Sequence, residues 1–79
     1  MVIVYILQSL RDKGFYIGIT KNVEERLVKH NRGEVQSTKK RRPFKIIYTE
    51  QFNNYDEARK RESEIKSYKG GNSFRKLLT

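Results

Sequence analysis

Two short runs near the start of the chain carry phenols in places where phenols can do chemistry. Val4-Tyr5-Ile6-Leu7 and Tyr16-Ile17-Gly18-Ile19-Thr20 each set one tyrosine inside an apolar stretch. Between them Arg11-Asp12-Lys13-Gly14 has the polar, glycine-closed composition of a hairpin loop. The two runs therefore read as neighbouring antiparallel strands that bring Tyr5 and Tyr16 together. Taken alone, such a pair is equally an ordinary feature of a sheet, since tyrosine favours strands and its hydroxyl needs only a partner or water.

Other reactive side chains fall on helical spacings. Arg26 and His30 are four residues apart and so share one helix face, a turn above each other. Further on, an inward stripe read at steps of three and four is Tyr55, Ala58, Glu62, Ile65 and Lys69, with a carboxylate where a leucine would be expected. A carboxylate on an apolar face needs a cation, hydrogen bonds or a raised pKa. Arg59 and Lys66 stand at the right spacing to be structural partners for it. Lys39, Lys40, Arg41 and Arg42 form a basic run, followed by Lys45, and could contact a phosphate backbone or form a solvated face.

Eighteen Lys and Arg against nine Asp and Glu give a formal net charge of +9, a field that draws in polyanions. Nucleic acid, most naturally DNA, is the expected partner. A membrane is not, because no segment approaches the ~20 apolar residues of a span and the N-terminal run lacks a signal peptide's features. With no cysteine there is neither a disulfide-linked partner nor a thiolate metal site, and the cytoplasm is the natural compartment.

These residues must be held by few elements. Seventy-nine residues make one domain, spanning 1–79, of a size that buries only ~60% of its unfolded surface. Val2 to Gln8, Phe15 to Thr20 and Phe44 to Phe52 read as strands. Asn22 is placed to cap a helix that runs to about Asn31 and stops at Gly33. Pro43 ends the basic loop. Asn53 and Asn54 supply a turn and cap for a helix from Tyr55 to Tyr68, ended by Gly70 and Gly71, and Asn72 and Ser73 can cap a last short helix carrying Phe74, Leu77 and Leu78. Gly18 is expected to let the first helix pack closely on its strand. The order strand, strand, helix, strand, helix, helix makes an α+β fold, a sheet with helices on it.

Together the residues form a pattern that resembles the GIY-YIG endonuclease superfamily, and most of all its small, stand-alone bacterial members. Val4-Tyr5-Ile6 takes the place of the literal Gly-Ile-Tyr motif, and Tyr16-Ile17-Gly18 is the second motif intact. Arg26, ten residues past Tyr16, matches the helix-borne arginine, and His30 the position one turn later. Glu62, within Arg61-Glu62-Ser63-Glu64-Ile65-Lys66, matches the metal-binding glutamate, and Asn72 the asparagine that follows. The resemblance covers essentially the whole chain. It implies a three-stranded antiparallel sheet flanked by three helices, and hydrolysis of phosphodiesters with one Mg²⁺ or Mn²⁺ on Glu62.

In that reading Arg26 bridges phosphate oxygens with its planar fork. Tyr5 is the favoured general base for the attacking water, His30 takes or relays the proton, and Tyr16 orients phosphate or water. A tyrosine base at a reference pKa of ~10 requires a site that depresses it, with Arg26 and the metal as the means. Two alternatives are a nucleic-acid-binding module that keeps the fold without turnover and a protein-interaction domain. Binding alone calls for Lys and Arg but not for Glu62. The resemblance is to members without an appended DNA-binding domain, so a protein partner for targeting is a further expectation.

Overall fold

The first strand is apolar at nearly every position because it is covered on both sides. In the computed structural model, which describes residues 1–79, β1 (Val2–Ser9) lies between β2 (Phe15–Thr20) and β3 (Phe44–Phe52), antiparallel to both. Val2, Val4 and Ile6 point to one face and pack against Ala58, Ile65 and Phe74, which come from α2 (Tyr55–Ser67) and α3 (Asn72–Leu78). Tyr5 and Leu7 point to the other and pack with Phe44 under Val23 and Leu27 of α1 (Val23–Asn31). A strand buried on two faces reads as a continuous apolar run rather than an alternating one. Each of its fully buried Val, Ile and Leu side chains contributes roughly 1.5–3 kcal/mol.

The element order is the one expected, with one addition: Lys39–Arg41 wind into a short 3₁₀ turn inside the basic loop. Both longer helices start as the sequence predicts. Asn22 accepts a hydrogen bond from the Glu25 amide and Asn54 from the Glu57 amide, satisfying backbone donors that a helix leaves open at its start. The end of α1 is fixed to the start of β3 from two directions. The Asn31 side chain accepts from the Phe44 amide at 2.7 Å and donates to the Phe44 carbonyl at 3.2 Å.

β3 does not follow simple alternation. Tyr48 sits opposite Ile6 but Ile46 sits opposite Leu7, so Ile47 is an extra residue bulged out of the ladder. The bulge sends Phe44 and Ile46 to the α1 side and Ile47, Tyr48 and Phe52 to the α2 side.

Three helical expectations need correction. The inward stripe of α2 is shorter than its spacing suggests: Ala58 and Ile65 are fully buried, whereas Tyr55 is 41% exposed and Lys69 is exposed. The helix ends at Ser67, and Lys69 lies beyond it with φ of 51°, so it no longer continues the stripe. Tyr55 instead lies between two cations, with Lys21 and Arg59 each under 6 Å from its ring. Asn72 does not cap α3. The cap position belongs to Gly71, no side chain bonds the exposed amides, and Asn72 is the first helical residue.

Candidate active site

The register of the first two strands sets up the site. Tyr5 pairs with Gly18 and Leu7 with Tyr16, and residues directly opposite in a sheet share a face. Both phenols therefore lie on the α1 side, ring centroids 6.3 Å apart. Gly18 is what allows this. A Cβ there would lie 2.6 Å from the Tyr5 hydroxyl oxygen and 2.7 Å from Cζ, closer than real Cβ atoms come. The glycine makes room for the Tyr5 phenol crossing the neighbouring strand, not for helix packing, which corrects the expectation for Gly18.

α1 lays two of its residues over that pair. His30 is completely buried, with Tyr16 edge-on to its ring at 4.8 Å and Phe44 at 5.9 Å. Its Nε2 is 3.2 Å from the Tyr5 hydroxyl and its Nδ1 is 2.7 Å from the hydroxyl of Thr38. Thr38 is itself fully buried, and nothing in the sequence singles it out: it stands among exposed polar residues with no spacing that ties it to His30. One turn back on α1, Arg26 lies against Tyr5, whose hydrogen bonding is the main reason its own pKa is raised.

The electrostatics follow from this packing. Burial pushes the Tyr5 phenol above its usual pKa, and Arg26 draws it only partly back, while Tyr16 and Glu62 add to the rise. The expectation of a depressed tyrosine is thus reversed in the protein alone, because a phenol 1% exposed loses more from desolvation than it gains from one guanidinium. His30 falls to about 4, first through burial and then through the Arg26 charge. It is a neutral imidazole throughout the physiological range.

Beside Arg26 a groove of about 240 Å³ opens along the first half of α1, lined by Thr20, Lys21, Asn22, Glu25, Arg26 and Lys29. None of its walls is apolar, which suits an ionic backbone rather than an apolar ligand.

Glu62 stands on α2, the layer that covers the other face of the sheet from Tyr5, and its charge is the smallest contributor to the rise of the Tyr5 pKa. Its side chain is 20% exposed and its Oε2 pairs with Lys66 at 3.3 Å, while Arg59 turns instead to Asp56. The rotation of α2 that aims Glu62 is held by its neighbour. Arg61 donates to Glu50 of β3 at 2.8 Å and pairs with Glu64, and Tyr48 donates to the same Glu50 at 2.6 Å. Burial disfavours the Arg61 charge, but these bonds outweigh it and raise its pKa. Sequence spacing could have found Glu64, three residues on, but not Glu50.

The basic loop is built against the hairpin. The buried Ser9 hydroxyl donates to the Arg41 carbonyl and accepts from the Arg11 and Asp12 amides. Arg41 is largely spent on structure: it pairs with Asp12 at 2.9 Å and lies over the Phe44 ring at 5.6 Å. Lys39, Lys40, Arg42 and Lys45 are exposed. Asn72, at the exposed start of α3, makes no hydrogen bond to Tyr5, Tyr16, Arg26, His30 or Glu62. The structure thus gathers Tyr5, Tyr16, Arg26 and His30 on one face, whereas neither Glu62 nor Asn72 makes a hydrogen bond to any of them.

Comparison with known proteins shows the family to which the chain belongs. A family model described as the GIY-YIG catalytic domain matches residues 1–74. A UPF0213 protein of Staphylococcus saprophyticus is 42% identical over 66 residues, covering 82% of this chain and 79% of that protein. One from Staphylococcus aureus is 46% identical over the same span and coverage. The solution NMR structure of the UPF0213 protein BH0048 from Bacillus halodurans is 34% identical, with a TM-score of 0.49 over 92% of this chain and 90% of that one. No helix is long and apolar enough to cross a membrane.

Proposed function

Because the chain belongs to the GIY-YIG family, alongside relatives named UPF0213 proteins, we propose that it is a divalent-metal-dependent endonuclease hydrolysing phosphodiester bonds in DNA, with the domain spanning 1–79. The observation that carries this reading is the gathering of Tyr5, Tyr16, Arg26 and His30 beside a polar groove.

Arg26 binds the scissile phosphate, its fork matching two phosphate oxygens. That contact also changes the proton chemistry behind it. A phosphate neutralises the charge that, after burial, holds His30 low, so substrate raises the proton affinity of His30 at the moment it is needed. The attacking water gives a proton to the Tyr5 oxygen as the phenol passes its own proton to His30 Nε2, along the 3.2 Å contact. Tyr5 need never exist as a free phenolate, which accommodates its raised pKa. Tyr16, half-buried, orients phosphate or water on the open side, and the leaving oxygen takes a proton from solvent.

Glu62 fits a hard cation. It offers carboxylate oxygens with only Lys66 as an ion-pair partner, and no three His, Cys, Asp or Glu side chains converge anywhere in the chain, around Glu62 included. A single carboxylate that leaves the remaining coordination to water and phosphate is an ordinary way of holding Mg²⁺, with Mn²⁺ as substitute. When bound, the ion would supply positive charge against the phosphate in the transition state.

The test is incubation with nicked, branched, single-stranded and duplex DNA plus Mg²⁺ or Mn²⁺, using wild type, Arg26→Lys and Glu62→Gln. Cleavage by wild type that is crippled in Arg26→Lys and absent in Glu62→Gln is expected. Salt-sensitive binding without cleavage of any substrate would replace the nuclease reading with that of a binding module.

A further inference from the structure

Thr38 is the one fully buried side chain of the polar loop, and it touches the site's only histidine. Tyr5 has a hydroxyl proton and is almost fully buried, so that proton needs an acceptor. Arg26 offers donors only, which leaves His30 Nε2 at 3.2 Å. Nε2 must then carry a lone pair, and the ring proton sits on Nδ1. Nδ1–H donates to the Thr38 oxygen at 2.7 Å, and the Thr38 hydroxyl donates its own proton to the Val35 carbonyl at 3.4 Å. Every donor in the series Tyr5, His30, Thr38 finds an acceptor, and no buried side-chain polar atom in the chain is left without a partner. In the opposite tautomer Nε2–H would face the Tyr5 oxygen, and the phenol's proton would be stranded.

We propose that Thr38 is a positioning residue that holds the proton of His30 on Nδ1 and so keeps Nε2 open to receive the proton of Tyr5. This rests on the reading that Tyr5 hands a proton to His30, but the tautomer is a property of the folded protein alone. Thr38 immediately precedes Lys39 and Lys40, so the loop offered to the phosphate backbone is also the loop that sets the histidine's acceptor. Residues Gln36, Ser37, Lys39 and Lys40 around it are exposed, and only Thr38 turns inward.

His30 is the chain's single histidine, so its ring nitrogens give an unambiguous ¹⁵N spectrum. Wild type near pH 7 is expected to show Nδ1 protonated and Nε2 bare. Thr38→Val, which keeps the shape but removes the acceptor, is expected to move population to the Nε2–H form and to slow cleavage on the order of tenfold or more without changing DNA affinity. Thr38→Ser restores both. A wild-type spectrum with Nε2 protonated would overturn the proposal without recourse to any variant. So would a Thr38→Val protein whose tautomer and turnover match wild type. If the spectra behave as expected and wild type cleaves no substrate, the hold of Thr38 on the ring stands and the nuclease reading falls.

Discussion

Substituting Gly18 by alanine adds one methyl group where the structure has no space for it. The new Cβ would stand 2.6 Å from the Tyr5 oxygen, 2.7 Å from Cζ and 3.0 Å from Cε1. The ring must retreat, but it is fully buried, and moving it stretches the 3.2 Å hydrogen bond to His30. Overpacking of this kind costs about 1–3 kcal/mol, and leaving the buried His30 acceptor unpaired adds about 1–3 kcal/mol. Alanine recovers about 0.5–1 kcal/mol through its better strand propensity. A net loss of about 2–4 kcal/mol is expected, which in a domain of this size lowers Tm by roughly 10–30 °C. Urea and thermal unfolding of wild type, Gly18→Ala, Tyr5→Leu and the double variant form a cycle that isolates the interaction. With leucine at position 5 the outer ring atoms are gone, and Gly18→Ala should then be neutral or slightly stabilising. A Gly18→Ala protein within about 0.5 kcal/mol of wild type, or an equal penalty in both backgrounds, would refute the reasoning.

Acid should weaken the fold through His30. Its folded pKa of about 4 lies below the ordinary 6.5, so the unfolded chain takes up the proton first; the stabilisation is complete above about pH 7 and disappears as pH falls through about 4. The shift corresponds to at most ~3 kcal/mol, measurable as a steeper fall of the urea midpoint between pH 7 and 4 in wild type than in His30→Gln; parallel curves would reassign the acid sensitivity. Changing Lys39, Lys40 and Arg42 together to alanine should weaken binding to all DNA sequences about equally and reduce the log-log salt slope by ~0.9 for each phosphate no longer neutralised. Arg41→Ala, whose charge already faces Asp12, should instead mainly lower stability; an unaltered slope in the triple variant would move the binding face elsewhere.

What can be read from the sequence is what local chemistry fixes. Strand runs, the Asn22 and Asn54 caps and the meeting of Tyr5 with Tyr16 all follow from short-range pattern, and all are present. The family pattern points to Arg26, His30 and Glu62 without any knowledge of the fold. Side chains whose roles depend on a distant partner are silent. Thr38 resembles its exposed neighbours until the chain folds it under α1, and Arg61 looks like another surface cation until β3 presents Glu50. The direction of the Tyr5 pKa escapes the sequence for the same reason: the nearby arginine is visible there, but the depth of burial that outweighs it is not. Tyr55 departs from the inward stripe, and one of the two cations that flank its ring, Lys21, lies outside its own helix.

The extra residue at Ile47 gives β3 something like a reading frame for packing. Phe44 and Ile46 serve the layer that holds the tyrosines and His30, whereas Tyr48, Glu50 and Phe52 serve the layer that orients α2 and therefore Glu62. One strand thus reports to both halves of the site, and the two halves are kept in phase by a single unpaired position. Forcing Ile47 into the ladder as a paired residue would slip the register by one and invert one half relative to the other. Length changes in the basic loop, by contrast, would leave both halves in frame.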